Sequence, residues 1–169
     1  MTLGIVVSSE TDEGAFELLT KGHELSKQLG IELSAIVLGS RDDKTVQSYF
    51  DYGAQKVFLV TEGGFPALDA ETYANALHEM LRENGPDILL IGSTRLGKET
   101  AGRVAQKLGA GCITDATGLA LKDGEIVVSR YALGGNTVAS EITKTKKKVV
   151  SVMPRTFEAE QGPTQGTVE

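Results

Sequence analysis

The residues Gly92-Ser93-Thr94-Arg95-Leu96-Gly97-Lys98 carry the spacing G-x-x-x-x-G-K, the front of a phosphate-binding loop. In such a loop, backbone N–H groups cradle phosphate oxygens, and a following Ser or Thr holds magnesium. Here the following residue is Glu99, which would put a carboxylate where phosphate oxygens should lie. The loop also follows the fourth apolar run of the chain rather than the first. A P-loop nucleotidase is therefore disfavoured. What remains is weaker chemistry, an adenine nucleotide or other anion meeting the N–H groups of a helix N-terminus. The simpler account is a tight strand-to-helix turn with close packing.

A second pair of residues could join that loop. Ser8-Ser9 ends the first apolar run. If the first and fourth strands are neighbours, the order of the sheet reverses between them, and ligands of open α/β sheets bind at such a switch point. Ser8, Ser9, Gly92, Ser93, Thr94, Arg95 and Gly97 are then the candidate nucleotide or anion residues, with Arg95 and Lys98 supplying positive charge. Other chemistry is thin. Cys112 and Asp115 are close in sequence, but His23 and His78 fall in separate helical stretches near neither. No His, Cys and carboxylate set has metal-ligand spacing, so neither a catalytic residue nor a metal site is assigned and the chain is not read as an enzyme. The basic run at 144–148, broken by Thr145, is expected at a solvated hairpin tip.

The elements that position these residues follow from pattern. Residues 3–7, 31–38, 56–60 and 87–91 are short apolar runs. Residues 12–29, 41–52, 69–84 and the stretch after Gly97 have helical apolar spacing, the last through Ala101, Val104, Ala105 and Leu108. Gly30 and Gly53 close the first two helices, and Asp69 is placed to cap the third. Gly63-Gly64-Phe65-Pro66 reads as a loop. Continuous apolar strands alternating with helices predict a parallel sheet covered on both faces. Cys112-Ile113-Thr114 begins a short fifth strand. Asp123-Gly124 then signals a two-residue hairpin turn, and residues 137–142 and 148–153 read as further strands extending the sheet or flapping on its edge. After Pro154 the hydrophobic content falls, and residues 158–169 are expected to be mobile or to dock elsewhere.

Bulk composition narrows the partners. The 169 residues suffice for one domain with a proper core. Seventeen Lys and Arg against 23 Asp and Glu give a net charge of −6, which disfavours binding to nucleic acid or to an anionic membrane. One cysteine excludes an internal disulfide. The N-terminus lacks a basic region, and no apolar run approaches bilayer length, so a cytoplasmic location is expected.

Residues 87–118, DILLIGSTRLGKETAGRVAQKLGAGCITDATG, resemble the α subunit of electron transfer flavoproteins. The resemblance rests on Gly92-Ser93-Thr94, Gly97, Arg103-Val104-Ala105, Leu108-Gly109 and Asp115-Ala116-Thr117-Gly118. Arg130, Gly134-Gly135-Asn136 and Ala139 continue it, as do Val152-Met153-Pro154-Arg155 and Phe157, so that it covers about residues 1–157. It implies a Rossmann-like, three-layer α/β/α doubly wound sheet of the adenine nucleotide α-hydrolase-like kind, in strand order 3-2-1-4-5. It also implies a two-subunit carrier that passes electrons through FAD. In that family FAD is held mainly by a second, C-terminal domain of the α subunit, and AMP lies in the β subunit. Those FAD-binding motifs are absent from this sequence, so no cofactor is expected in this chain itself. The resemblance thus implies a non-catalytic scaffold, either a stand-alone relative, one piece of a split α subunit, or part of a longer chain. Its expected partners are a β-like subunit, a separate FAD domain, or a second copy in a homodimer.

Overall fold

The computed structural model describes residues 4–61, 69–82, 85–162 and 167–168. In chain order the elements are β1 (Gly4–Ser8), α1 (Asp12–Leu29), β2 (Glu32–Leu38), α2 (Asp43–Asp51), β3 (Lys56–Val60) and α3 (Ala70–Leu81). They continue with β4 (Ile88–Gly92), α4 (Arg95–Leu108), β5 (Gly111–Lys122), β6 (Glu125–Ala132), β7 (Thr137–Glu141), β8 (Lys148–Val152) and β9 (Thr167–Val168). The expected loop at 63–66 and the outer ends of two expected elements, at residues 3 and 84, lie outside the described residues.

The helices begin and end where local chemistry dictates. Thr11, Asp42, Asp69 and Thr94 each stand in extended backbone before a helix and accept a hydrogen bond from one of its first N–H groups. Gly30 and Gly109 adopt left-handed backbone just past α1 and α4 and return their N–H groups to the last turn. Each such cap is worth about 1 kcal/mol.

The strands β1, β2, β3 and β4 are parallel to their sheet neighbours. Their alternate side chains feed two cores. Ile5, Val7, Leu33 and Leu90 pack with Leu18, Leu19, Leu25, Tyr49 and Phe50 of α1 and α2. Val6, Ile36, Leu89 and Ile91 pack with Ala74, Leu77 and Leu81 of α3 and Ala101, Val104 and Ala105 of α4. Burial on both faces explains why these strands read as continuous apolar runs. Arg103 of α4 clasps Glu71 of α3 at 2.6 Å, and Lys107 meets the same carboxylate at 3.1 Å.

The doubly wound α/β/α class holds, with one correction to strand order. The sheet runs β7-β6-β5-β8-β4-β1-β2-β3-β9. The 3-2-1-4 portion is as expected, but β8 stands between β4 and β5. It pairs parallel to both, and Val149, Val150 and Val152 are buried. A strand with so much apolar surface gains more in the middle of the sheet than on its edge. This placement overturns the hairpin expected between residues 137–142 and 148–153, since β7 and β8 are not neighbours. The basic run is a crossover, not a free tip. Lys147 donates from Nζ to the carbonyls of Gly85 and Pro86, and Lys148 donates to those of Thr143 and Thr145.

The Asp123-Gly124 turn does join β5 and β6, with both residues at positive φ. β5 is much longer than the expected short strand because Asp115 (φ 57°) absorbs a register shift between Ile113 and Ala116. β5, β6 and β7 form an antiparallel extension beyond the parallel sheet. The segment after β8 docks on this same chain. Arg155 donates its N–H to Glu17, Phe157 packs beside Lys21, Glu160 donates to Thr20 and Gly162 to Asp51. β9 then joins the far edge, beside β3.

Candidate functional site

The carboxyl ends of β1 and β4 are neighbours, Ser8 lying opposite Ile91, so the expected switch point exists. A crevice of about 150 Å³ opens there, between α3 and α4. Ser8, Ser9, Glu10 and Arg41 line one part, Leu38, Tyr73 and Leu77 another, and Ile91, Leu96, Gly97 and Thr100 the rest.

The glycines of the loop do packing work. A Cβ on Gly97 would sit 1.8 Å from the carbonyl oxygen of Gly92, a distance no side chain tolerates. A Cβ on Gly92 would meet Ser9 Oγ at 2.7 Å. Glycine at position 97 lets the first turn of α4 rest on the end of β4, whereas the contact at Gly92 is with a side-chain hydroxyl that can move.

The polar groups of the loop are already engaged within the chain. Thr94 Oγ1 accepts from the Gly97 N–H at 3.0 Å and donates to Glu10 at 2.6 Å. Ser93 points the other way. Its hydroxyl donates to Asp115 at 2.6 Å and lies 3.1 Å from Ser151 Oγ, while the Asp115 N–H donates to Ser151 at 3.2 Å. Lys98 completes that group 3.4 Å from the Asp115 carboxylate. These contacts pin β4, β8 and the left-handed residue of β5 together. Arg95 is exposed on an outer groove shared with Glu10, Leu96 and Glu99.

Of the seven residues singled out from sequence, Ser8, Ser9 and Gly97 line the crevice. Gly92 and Thr94 shape its rim, and Ser93 and Arg95 face elsewhere. Sequence reasoning missed Glu10, Arg41, Tyr73 and Thr100. Arg41 donates through Nε to Asp12 at 2.9 Å, and the Tyr49 hydroxyl donates to the same carboxylate oxygen at 2.6 Å. Burial, reinforced by that hydrogen bond, pushes the Tyr49 phenol well up, so it stays a donor. Thr100 carried a readable signal, since it falls beside Ala101 on the apolar face of α4 that Val104 also occupies.

Cys112 is exposed and Asp115 is held by Ser93 and Lys98, so the two do not act as a pair. His23 is on α1 and His78 on α3, beside Glu79. Among the described residues no three metal-ligating side chains converge, and no helix is long and apolar enough to cross a membrane.

A second surface stands out for the opposite reason. Tyr131 on β6 and Val138 on β7 are directly paired across the ribbon and are 56% and 60% exposed. Leu133, in the 3-10 turn between the strands, is 81% exposed and has positive φ. Ile142 and Met153 add exposed apolar surface.

Residues 6–169 match the electron transfer flavoprotein domain. The chain belongs to that family. It is 30% identical over 163 residues to the electron transfer flavoprotein subunit alpha of Clostridium acetobutylicum, covering 92% of this chain and 48% of that protein. It is 34% identical over 146 residues to the protein FixB of Azorhizobium caulinodans, covering 83% and 40%. A third relative, the lactate dehydrogenase (NAD(+),ferredoxin) subunit LctC of Acetobacterium woodii, is 31% identical over 163 residues, covering 92% and 39%. The chain spans about half the length, or less, of these curated relatives. Its electron transfer flavoprotein fold is therefore of the α-subunit kind.

Proposed function

We propose that this chain is a non-catalytic interface component of a flavin-based electron carrier, with the flavin bound elsewhere. The observation that carries this reading is the β6–β7 ribbon. Tyr131, Leu133 and Val138 leave an apolar face open at the end of the sheet, on a family fold whose relatives are named as subunits. A contiguous exposed apolar patch marks an interaction surface, and aromatic anchors such as Tyr131 concentrate binding energy.

The occupant is a β-type electron transfer flavoprotein subunit, together with a domain or chain that supplies the FAD site. Where that partner is missing, a second copy covers the same ribbon in an isologous pair. The crevice does not serve FAD. At about 150 Å³ it is smaller than the roughly 300 Å³ at which ordinary ligand pockets begin.

The test is titration with FAD of the purified chain, alone and then with a β-type subunit present. The expected result is no stoichiometric flavin on the chain alone and a complex with the subunit. Tightly bound flavin on the chain alone, or no complex, overturns the reading.

A further inference from the structure

The strand β5 serves two parts of the sheet, and one residue divides them. Gly111, Cys112 and Ile113 pair in parallel with β8, while Ala116 and the stretch from Gly118 to Lys122 pair antiparallel with β6. Between these halves lies Asp115, left-handed at φ 57°. A non-glycine residue adopts that conformation at a cost, and an irregularity of this kind bends and re-aims its strand.

The bend decides where the ribbon leaves the sheet. β5 last pairs with β6 at Ala116 and Arg130. The next residues of β6, Tyr131 and Ala132, pair with Val138 and Thr137 of β7 and, among the described residues, with nothing on the β5 side. On the near side of Arg130 the strands are anchored, since Leu119, Ile126 and Val128 are buried in the core shared with α1. The exposed Tyr131–Val138 pair therefore stands just past the point where Asp115 carries β5 away towards β8.

Three elements hold the bend. From the end of β4, the Ser93 hydroxyl donates to the Asp115 carboxylate at 2.6 Å. From α4, Lys98 Nζ lies 3.4 Å from the same carboxylate. From β8, the fully buried Ser151 accepts the Asp115 N–H on its hydroxyl at 3.2 Å. Ser93 and Lys98 belong to the G-x-x-x-x-G-K stretch, and the anion they take is the chain's own carboxylate.

We propose that Asp115 is the positioning residue of the ribbon: its carboxylate, held by Ser93 and Lys98, fixes the bend of β5 and so the direction in which Tyr131 and Val138 face a partner. The loop that resembles a phosphate cradle thereby serves an interface on neighbouring strands. The effect on association rests on the interface reading of the ribbon given above; the effect on the ribbon itself does not.

The experiment is amide hydrogen exchange of the full chain, with affinity for a β-type electron transfer flavoprotein subunit measured on the same proteins. Glycine takes a positive φ freely, so Asp115→Gly removes the carboxylate without straining the backbone. It should speed exchange of the protected amides among residues 130–141 about tenfold, leave those of β1 and β2 unchanged, and weaken association by a similar factor. Asp115→Asn tolerates left-handed backbone and keeps an oxygen for Ser93, so it should restore both readings to near the parent. Ser93→Ala breaks the same contact from the β4 side and should loosen the same residues even if Asp115→Gly fails to fold. Parent-like exchange at 130–141 in Asp115→Gly and Ser93→Ala, exchange rising evenly through the molecule, or no rescue by Asp115→Asn overturns the proposal. So does parent-like association by a chain whose ribbon has loosened. No complex from the parent chain overturns the interface reading instead, and exchange alone then decides whether Asp115 fixes the bend.

Discussion

At the rim of the crevice, Thr94, Glu10, Asp12 and Arg41 direct their polar groups at one another, and Gly92 and Gly97 let backbone touch backbone. On the β6–β7 ribbon, Tyr131, Leu133 and Val138 direct apolar surface at water. The rim resembles a phosphate loop in sequence, yet its chemistry is satisfied inside the chain. The ribbon carries no binding motif, yet it holds the surface whose burial remains to be gained. Unsatisfied physical chemistry is a better guide to an interface here than a spacing of glycines.

The largest effect that would sharpen this contrast is at Gly97. If its role is contact and not ligand binding, Gly97→Ala should destabilise the chain by about 3 kcal/mol, read as a lower urea midpoint. Gly92→Ala should cost less, because the hydroxyl of Ser9 can rotate away. A mild effect for Gly97→Ala would break the packing account.

The ribbon should behave in the reverse way. Tyr131→Ser with Val138→Ser should leave the urea midpoint nearly unchanged. It should weaken partner association by about tenfold or more, or about 1.4 kcal/mol. Equal affinity in the double variant would remove the ribbon from the interface.

Thr94→Ala tests the rim at smaller amplitude. Losing the cap on Gly97 should cost about 1 kcal/mol, and the free N–H should not create anion binding while Glu10 and Glu99 remain. A sulfate-dependent rise in Tm in that variant, absent from the parent, would contradict this.

The smallest effect concerns pH. Burial, and then the nearby Lys27, hold the His23 imidazole below its usual range. The unfolded chain therefore takes up more protons than the folded one as pH falls below about 6.5. Stability present above that pH is lost on acidification, and His23→Gln should flatten this part of a Tm-against-pH curve. An unchanged slope would count against it.

Much of the fold was legible because it is local. Gly30 marks the end of α1 and Asp69 the start of α3, and the unbroken apolar runs of β1 and β4 announce burial on both faces. The position of β8 was not legible. Its sequence, KVVSV, suits an edge extension or the sheet centre alike, and the choice is made by pairing with β4 and β5 far away in sequence. The long β5 was hidden because a non-glycine residue, Asp115, takes the left-handed conformation. In the crevice, sequence located the glycines and Ser8-Ser9 but gave Ser93 the wrong direction, because strand order decides which side of β4 each residue faces. Thr100 was readable from its place beside Ala101 on the buried face of α4 but was not singled out.

The most direct measurement of the central claim is the mass, by light scattering after size exclusion, of the species formed when the chain is mixed with a β-type electron transfer flavoprotein subunit. The account predicts a one-to-one complex for the parent chain and separated components for the folded Tyr131→Ser, Val138→Ser variant. An identical complex from both proteins would contradict it.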